Sequence, residues 1–192
     1  MPDATELCTL ADLKSMLGQT ASTEEALITI VKNAVEAYAK TYCGRDFIVA
    51  TYTEYHDGDD GNLLRVDQRP INSITSLYSD PARLFESASL IPSSDIVGDT
   101  KGQRLGFVEL LTYKFLKGIK STKIVYSGGL STIPADLSMA VKLIVCKQYK
   151  VISKKMFAEN TQQVGDMTIT LSPDAFPKDA LKMLDAFRRL DF

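Results

Sequence analysis

Apolar residues recur at helical spacing along the stretch from residue 22 to residue 44. They form one stripe on a helix surface, made of Leu27, Ile28, Val31, Ala34, Val35, Tyr38 and Tyr42. Ser22 and Glu25 have the spacing of a capping box, and Gly44 suits the left-handed conformation that ends a helix. We therefore predict a helix over 23–43 with a buried stripe. The polar residues off this stripe are expected to stay in water, namely Glu24, Lys32, Asn33, Glu36 and Lys40.

Two further stretches carry clear helix signals. Thr9 can cap a short helix over 9–17 that Gly18 ends. Pro134 suits the first turn of a long helix over 134–153, where its missing amide costs nothing. The predicted core face of this long helix consists of Leu137, Ala140, Val141, Ile144, Val145 and Ile152. Its lysines are interpreted as a solvated face, with a DNA-facing surface as the alternative: Lys142, Lys147, Lys150, Lys154 and Lys155.

The C-terminal part of the chain predicts an arm and a last helix. Residues 164–171 alternate polar and apolar around Gly165, as in a small hairpin or an extended arm. A helix is predicted from Pro177 to Leu190. Its apolar residues cover more surface than one end of a small domain needs, so a partner surface is expected there.

The middle of the chain changes to the period of two that is typical of strands. Residues 46–57 alternate and are rich in Val, Ile, Thr and Tyr, and residues 57–62 are turn-like. We predict that 63–66 return from this turn as the second strand of a hairpin, and that 72–78 and 122–129 are further strands. Residues 81–121 carry only weak signals.

These elements predict an α+β fold. It is a bundle of about four helices (9–17, 23–43 and 134–153 with the last helix), into which a small antiparallel sheet at about 46–127 is inserted. Residues 1–155 are expected to form the core, and residues 156–192 an extended C-terminal arm that ends in a helix.

Composition excludes several classes of protein. The 192 residues are 45% hydrophobic and 24% charged, which is ordinary for a globular protein. No apolar run approaches the roughly 20 residues that span a bilayer, and the first residues lack the order of a secretory signal, so a cytoplasmic origin is expected. The net charge of −2 argues against a dedicated nucleic-acid binder.

One segment concentrates residues that bind metals. His56 precedes Asp57, Asp59 and Asn62, but the twelfth position of a calcium loop is occupied by Gln68, so an acidic turn is the better interpretation. Three cysteines, Cys8, Cys43 and Cys146, form no CxxC pair and are expected to be buried thiols. We expect no catalytic residue, metal or cofactor; a small metal-dependent hydrolase built on His56 is a remote alternative.

The order of the motifs resembles a known family. The chain reads TLADLKSML, then EAYAKTYCGRDF, RPINSITSL, and finally YSGGLSTIPADL leading into the long helix. Over about residues 7–150 this resembles the head–tail connector (adaptor) proteins of tailed bacteriophages. Each matching motif is a structural junction rather than a catalytic one.

The resemblance implies a structural virion protein. It would form an adaptor ring, probably a dodecamer, below the portal at the head–tail junction, after assembly in the host cytoplasm. Its partners would be the portal protein and a neck or tail-completion protein, with double-stranded DNA passing through the channel and no membrane involved. A different neck or tail-completion protein is the alternative.

Two sets of contact residues follow from this resemblance. The C-terminal segment commonly engages the portal in this family, which points to Phe187, Arg188, Arg189, Leu190 and Phe192. The polar face of the helix over 23–43 is expected to meet the next subunit through Glu24, Lys32, Glu36 and Lys40.

Overall fold

The computed structural model describes residues 6–18, 24–98, 100–153, 161–164, 167–170 and 176–188. Within these ranges the fold is α+β, as predicted. The chain divides into two compact units. We call residues 46–132 the β unit, and the described residues of 6–45 and 133–188 the helical unit.

Four helices and one small hairpin make up the helical unit. The helices are α1 (Leu10–Leu17), α2 (Glu25–Cys43), α4 (Ala135–Ser153) and α5 (Lys178–Asp185); the remaining helix, α3 (Thr100–Leu105), belongs to the β unit. Strands β6 (Thr161–Val164) and β7 (Met167–Thr170) pair antiparallel, which is the hairpin that the alternation in this region predicts. The last helix is shorter than the predicted 177–190, and residues 189–192 lie outside the described residues.

The predicted helix ends are largely confirmed. Thr9 Oγ1 accepts a hydrogen bond from Asp12 N at 3.1 Å, which caps α1. Gly18 and Gly44 end α1 and α2 in the left-handed conformation, with φ of 67° and 64°. At the start of α2, Glu24 is the cap residue and makes no capping bond through its side chain. Ser22, the predicted cap, lies outside the described residues.

The core of the helical unit combines faces of α2, α4 and α5, which pack together. On α2 the buried residues are Ile28, Val31, Lys32, Val35, Ala39 and Cys43. On α4 and α5 they are Leu137, Ala140, Val141, Ile144, Val145, Tyr149, Ala180 and Leu184. The core of α4 is as predicted except that Tyr149 is buried and Ile152 is half-buried.

The prediction that Lys32 stays in water is wrong. Lys32 is only 8% exposed, while Ala34 of the predicted stripe is exposed. The reason is the segment that precedes α1. Leu7 is buried, its amide donates to a carboxylate oxygen of Glu36, and Glu6 pairs with the Lys32 ammonium. This segment therefore covers a polar face of α2 that periodicity alone would leave open.

A three-stranded antiparallel sheet forms the centre of the β unit. Its order is β1 (Ala50–Gly58), β5 (Gly118–Gly128) and β3 (Ile71–Ser79), so the last strand in sequence lies in the middle. Strands β2 (Leu63–Arg65) and β4 (Phe107–Glu109) form a separate antiparallel pair, and α3 (Thr100–Leu105) leads into β4. Two 3-10 turns, Ser87–Ser89 and Ser93–Asp95, lie in the stretch that carries weak sequence signals.

The predicted hairpin between residues 46–57 and 63–66 is therefore wrong. Strand β2 pairs with β4 rather than with β1. After β1 the chain bonds instead to the loop before β5, since Asp60 N donates to Phe115 O at 2.8 Å. Leu64 and Val66 then join Val108 in the core cluster of the β unit.

Candidate functional site

Two of the motifs that carry the family resemblance, RPINSITSL and YSGGLSTIPADL, meet at one junction in the β unit. Gly128 lies in register with both Ala50 and Ile71, and Gly129 N donates to Pro70 O at 3.0 Å, next to a cis peptide bond between Arg69 and Pro70. Gly129 has a φ of 123°, and a Cβ there would lie 2.6 Å from Ile48 O. The glycine pair is thus required by close packing of three backbone segments.

A buried polar network stands beside this junction. The Tyr126 hydroxyl is fully buried with its ring; it donates to Glu54 Oε1 at 2.5 Å and accepts from Gln68 N at 2.9 Å. Glu54 Oε2 accepts from Asp67 N and lies 2.9 Å from His56 Nε2. The network ties β1 to the turn that precedes β3.

The same network sets the ionisation of its members. Burial raises the pKa of Glu54, but hydrogen bonds from His56, the Asp67 amide and Tyr126 outweigh it and leave that pKa below its usual value. Burial and the bond to Glu54 raise the pKa of Tyr126. Glu54 therefore accepts several hydrogen bonds, and the His56 ring is held beside its carboxylate.

The carboxylates of the acidic turn at the end of β1 accept hydrogen bonds from backbone amides. Asp57 Oδ1 accepts from Lys120 N at 2.8 Å, Asp60 Oδ1 from Lys117 N at 2.9 Å, and Asp59 Oδ1 from Gly61 N at 2.9 Å. Within the part of the chain that the structure describes, no group of three or more His, Cys, Asp or Glu side chains could hold a metal ion. The carboxylates of Asp57 and Asp60 thus hold the start of β5 and the loop before it.

Two further aspartates clamp loops in the stretch that sequence patterns left unresolved. Asp80 accepts from the amides of Ala82, Leu84 and Phe85 at 2.8–2.9 Å, and the Phe85 amide is the largest of the bonds that lower its pKa. Asp95 accepts from Thr112 N and Tyr113 N at 2.9 Å each. Sequence reasoning missed these clamps, and the Asp80-Pro81 turn was the only signal of them.

The predicted subunit-contact residues Glu24, Lys32 and Glu36 contact groups of their own helical unit. Glu6 pairs with Lys32 and Leu7 N donates to Glu36, while the Tyr149 hydroxyl donates to Glu24. Burial lowers the pKa of Lys32, but the bond to Glu6 and the nearby carboxylates raise it overall. Lys40 lies half-buried on α2. Their contact with a neighbouring subunit stays a prediction.

The predicted portal-contact residues lie at and beyond the end of α5. Phe187 is half-buried, and the Arg188 guanidinium lies 5.4 Å from the centre of the Tyr42 ring. The Tyr42 hydroxyl donates to Asp185 at 2.6 Å, which raises the pKa of Tyr42. These contacts fix α5 to α2. The remaining predicted residues, Arg189, Leu190 and Phe192, are outside the described residues, and portal contact stays a prediction.

The three cysteines are thiols whose pKa values are raised by burial. Burial raises the pKa of Cys8 to about 12 and that of Cys43 to about 11, and it also raises that of Cys146, so the thiolate nucleophile is suppressed at neutral pH. Lys142 of the predicted lysine face pairs with Asp12 at 2.8 Å. No described helix meets the length and hydropathy that crossing a membrane demands.

An apolar groove opens on the helical unit. It has a volume of about 230 Å³ and is lined by Ile30, Val31, Ala34, Val35, Tyr38, Gln148, Ile152 and Phe176. The rings of Tyr38 and Phe176 stack with centroids 4.4 Å apart, and Ile30 is 66% exposed. The groove and the clamped loops, rather than a catalytic cluster, are the features of this fold that suit a protein partner.

The fold is shared with chains of particle necks. One chain from the neck of an empty gene transfer agent (GTA) particle, computed with C6 symmetry, has a TM-score of 0.60 at 14% identity over 99% of this chain and 95% of that one. A chain from the neck of the native GTA particle, computed with C12 symmetry, gives 0.58 at 14% identity, over 95% and 89%. A chain of the native GTA virion gives 0.61 at 15% identity, over 95% and 90%.

This likeness shows that the chain shares its fold with these three chains. The family model described as head completion protein matches residues 6–190, so the chain belongs to the head completion protein family. The resemblance to head–tail connector proteins is thereby confirmed, and the role is a structural one in completing the head of a phage-like particle. No curated protein matches the chain.

Proposed function

We propose that the protein forms an adaptor ring in the neck of a tailed phage-like particle. The ring sits below the portal, joins the DNA-filled head to the tail and lets double-stranded DNA pass. The observation that carries this proposal is the family membership over residues 6–190, together with a fold shared with chains of necks of C6 and C12 symmetry. By that analogy the ring contains about twelve copies.

The two parts of the predicted domain division would have different tasks. Residues 1–155 would form the body of the ring, and residues 156–192 an arm that reaches the portal protein. The C-terminal residues from Phe187 to Phe192 carry the portal contact in this proposal, while a neck or tail-completion protein binds the opposite side. Assembly takes place in the host cytoplasm, and the protein acts without catalysis or cofactor.

The described contacts guide how the portal contact should be tested. Leu184 is fully buried and Tyr42 holds Asp185, so removing the whole arm would expose the core of the helical unit. A deletion of residues 189–192 leaves these contacts in place. It should abolish binding to purified portal and leave the thermal unfolding midpoint unchanged. Binding at wild-type affinity would contradict a portal contact by these residues.

The ring itself is tested by mixing the chain with purified portal rings and recording native mass spectra. The expected product is a portal carrying a complete second ring of about twelve chains. A chain that binds portal only as single copies, or binds a tail-completion protein instead, would show a different neck role. A monomer in the absence of portal is compatible with the proposal because a ring can require the portal as a template.

A further inference from the structure

We propose that an apolar surface on the β unit of one subunit docks into the apolar groove on the helical unit of a neighbouring copy. This contact rests on the proposed ring and supplies the interface that repeats around it. We call the first surface the loop surface; it consists of Leu84, Leu90, Tyr113, Leu116 and Ile119.

The side chains of the loop surface are large, apolar and exposed in the described structure. Leu84 and Ile119 are 70% and 75% exposed. Leu90, Tyr113 and Leu116 line one shallow cavity of about 210 Å³. The loop surface is formed by two loops, one after β3 and one before β5. They are held side by side, since Leu116 N donates to Ser79 Oγ at 2.8 Å. Patches of this kind mark protein-binding sites.

The backbone beneath the loop surface is fixed before any partner arrives. Asp57, Asp60, Asp80 and Asp95 accept backbone amides from the two loops. These bonds hold several residues other than glycine at positive φ, namely Arg83 (61°), Phe85 (51°) and Lys120 (51°). Conformations of this kind persist only where the surroundings enforce them. A fixed loop loses little conformational entropy on binding, which favours a docking role.

The local charge favours a protein over DNA as the partner. Four exposed cations lie on the loops, Arg83, Lys114, Lys117 and Lys120. Four exposed carboxylates on the same loops and the adjoining acidic turn balance them, namely Asp57, Asp59, Asp60 and Glu86. A surface that binds phosphates needs a clear excess of positive charge. The loop surface lacks this excess and offers apolar area instead.

The groove provides a matching surface on the other unit. Its volume of about 230 Å³ and its mainly apolar lining suit side chains such as Ile119 and Leu84. Ile30 at its rim remains 66% exposed, so the groove is uncovered within the described residues of one chain. Two unlike surfaces on every subunit give a head-to-tail contact, and such contacts close into rings when the rotation fits. The partner of the groove is therefore the loop surface of a second copy of this chain.

The experiment uses the full chain with portal rings and native mass spectrometry. Ile119→Lys and Ile30→Glu should each cut the number of chains bound per portal from a full ring to scattered single copies. Combining them in one chain should restore rings, because the lysine of one subunit then faces the glutamate of the next. Leu105→Lys and Met139→Glu are the matched controls, since both side chains are exposed but lie outside the two surfaces; they should form wild-type rings.

Three outcomes would overturn this contact. Full rings from either single variant would show that the surfaces do not meet, and so would a double variant that fails to regain rings. Loss of all portal binding by Ile119→Lys would place the loop surface against the portal. Thermal unfolding of each variant, with Ile119→Ser as a milder second substitution, separates lost contact from lost fold. Absence of rings with the wild-type chain would instead overturn the proposed function.

Discussion

Removing a single buried hydroxyl should measure how much the polar network stabilises the β unit. In Tyr126→Phe the ring and its packing remain, so no cavity forms. The hydroxyl bond to the Glu54 carboxylate, 2.5 Å in the native protein, is lost, and the Gln68 amide loses its acceptor. A bond to a charged group contributes about 1.5–3 kcal/mol, and an orphaned buried amide costs about 1–3 kcal/mol. Because water can partly replace both bonds, we expect Tyr126→Phe to lower the free energy of unfolding by about 2–4 kcal/mol.

The free energy of unfolding that Tyr126→Phe loses should depend on pH in a defined direction. The pKa of Glu54 is lowered in the folded protein, so its ionised form contributes stability above the unfolded value of about 4.3. This contribution disappears as the pH falls through the lower, folded pKa. The difference between wild type and Tyr126→Phe should therefore be largest near neutral pH and shrink as the pH falls through the lowered pKa of Glu54, where the carboxylate becomes protonated.

Urea unfolding followed by circular dichroism at neutral and acidic pH measures both effects. Tyr55→Phe is the matched control, because this ring is 48% exposed and packs against Phe85 at 5.6 Å. We expect it to change the free energy of unfolding by less than about 0.5 kcal/mol. Equal effects of the two substitutions, or a Tyr126→Phe loss that does not shrink in acid, would refute the reasoning.

Three further predictions concern separate parts of the chain. Gly129→Ala should lower the free energy of unfolding by at least about 2 kcal/mol, since its Cβ would meet Ile48 O and its φ is positive; a loss below 0.5 kcal/mol would contradict the close packing. Cys146, the half-buried thiol, should react with a thiol reagent before the other two cysteines, and simultaneous labelling of all three would be the opposite result. Charge reversal at Glu36 or Lys40 tests a second predicted subunit contact, on the polar face of α2: it should weaken ring assembly on the portal, and normal rings would show that this face is not part of the subunit contact.

The helical elements could be predicted because their signals are local. Thr9, Gly18 and Gly44 act within one turn of their own helix, and the core face of α4 follows from its periodicity alone. The burial of Lys32 depends instead on the segment at Glu6, 26 residues away. The periodicity of a helix sequence cannot show a contact between residues that far apart in the chain.

The pairing of the strands escaped prediction for the same reason. A turn-like sequence between two strands usually predicts a hairpin, yet Asp57 and Asp60 bond to amides about 60 residues further along. The sequence predicts an acidic turn here, and the structure shows that the carboxylates of this turn accept hydrogen bonds from backbone amides. The family motifs were correctly interpreted as junctions, since Pro70 and Gly129 meet in the structure.

A cryo-electron microscopy reconstruction of the neck of the particle that contains this protein tests the central claim most directly. We predict a closed ring of about twelve copies of this fold, coaxial with the portal and on its tail-facing side, with an open channel. Density for the chain elsewhere in the particle, or a neck that lacks it in complete and infectious particles, would contradict the account.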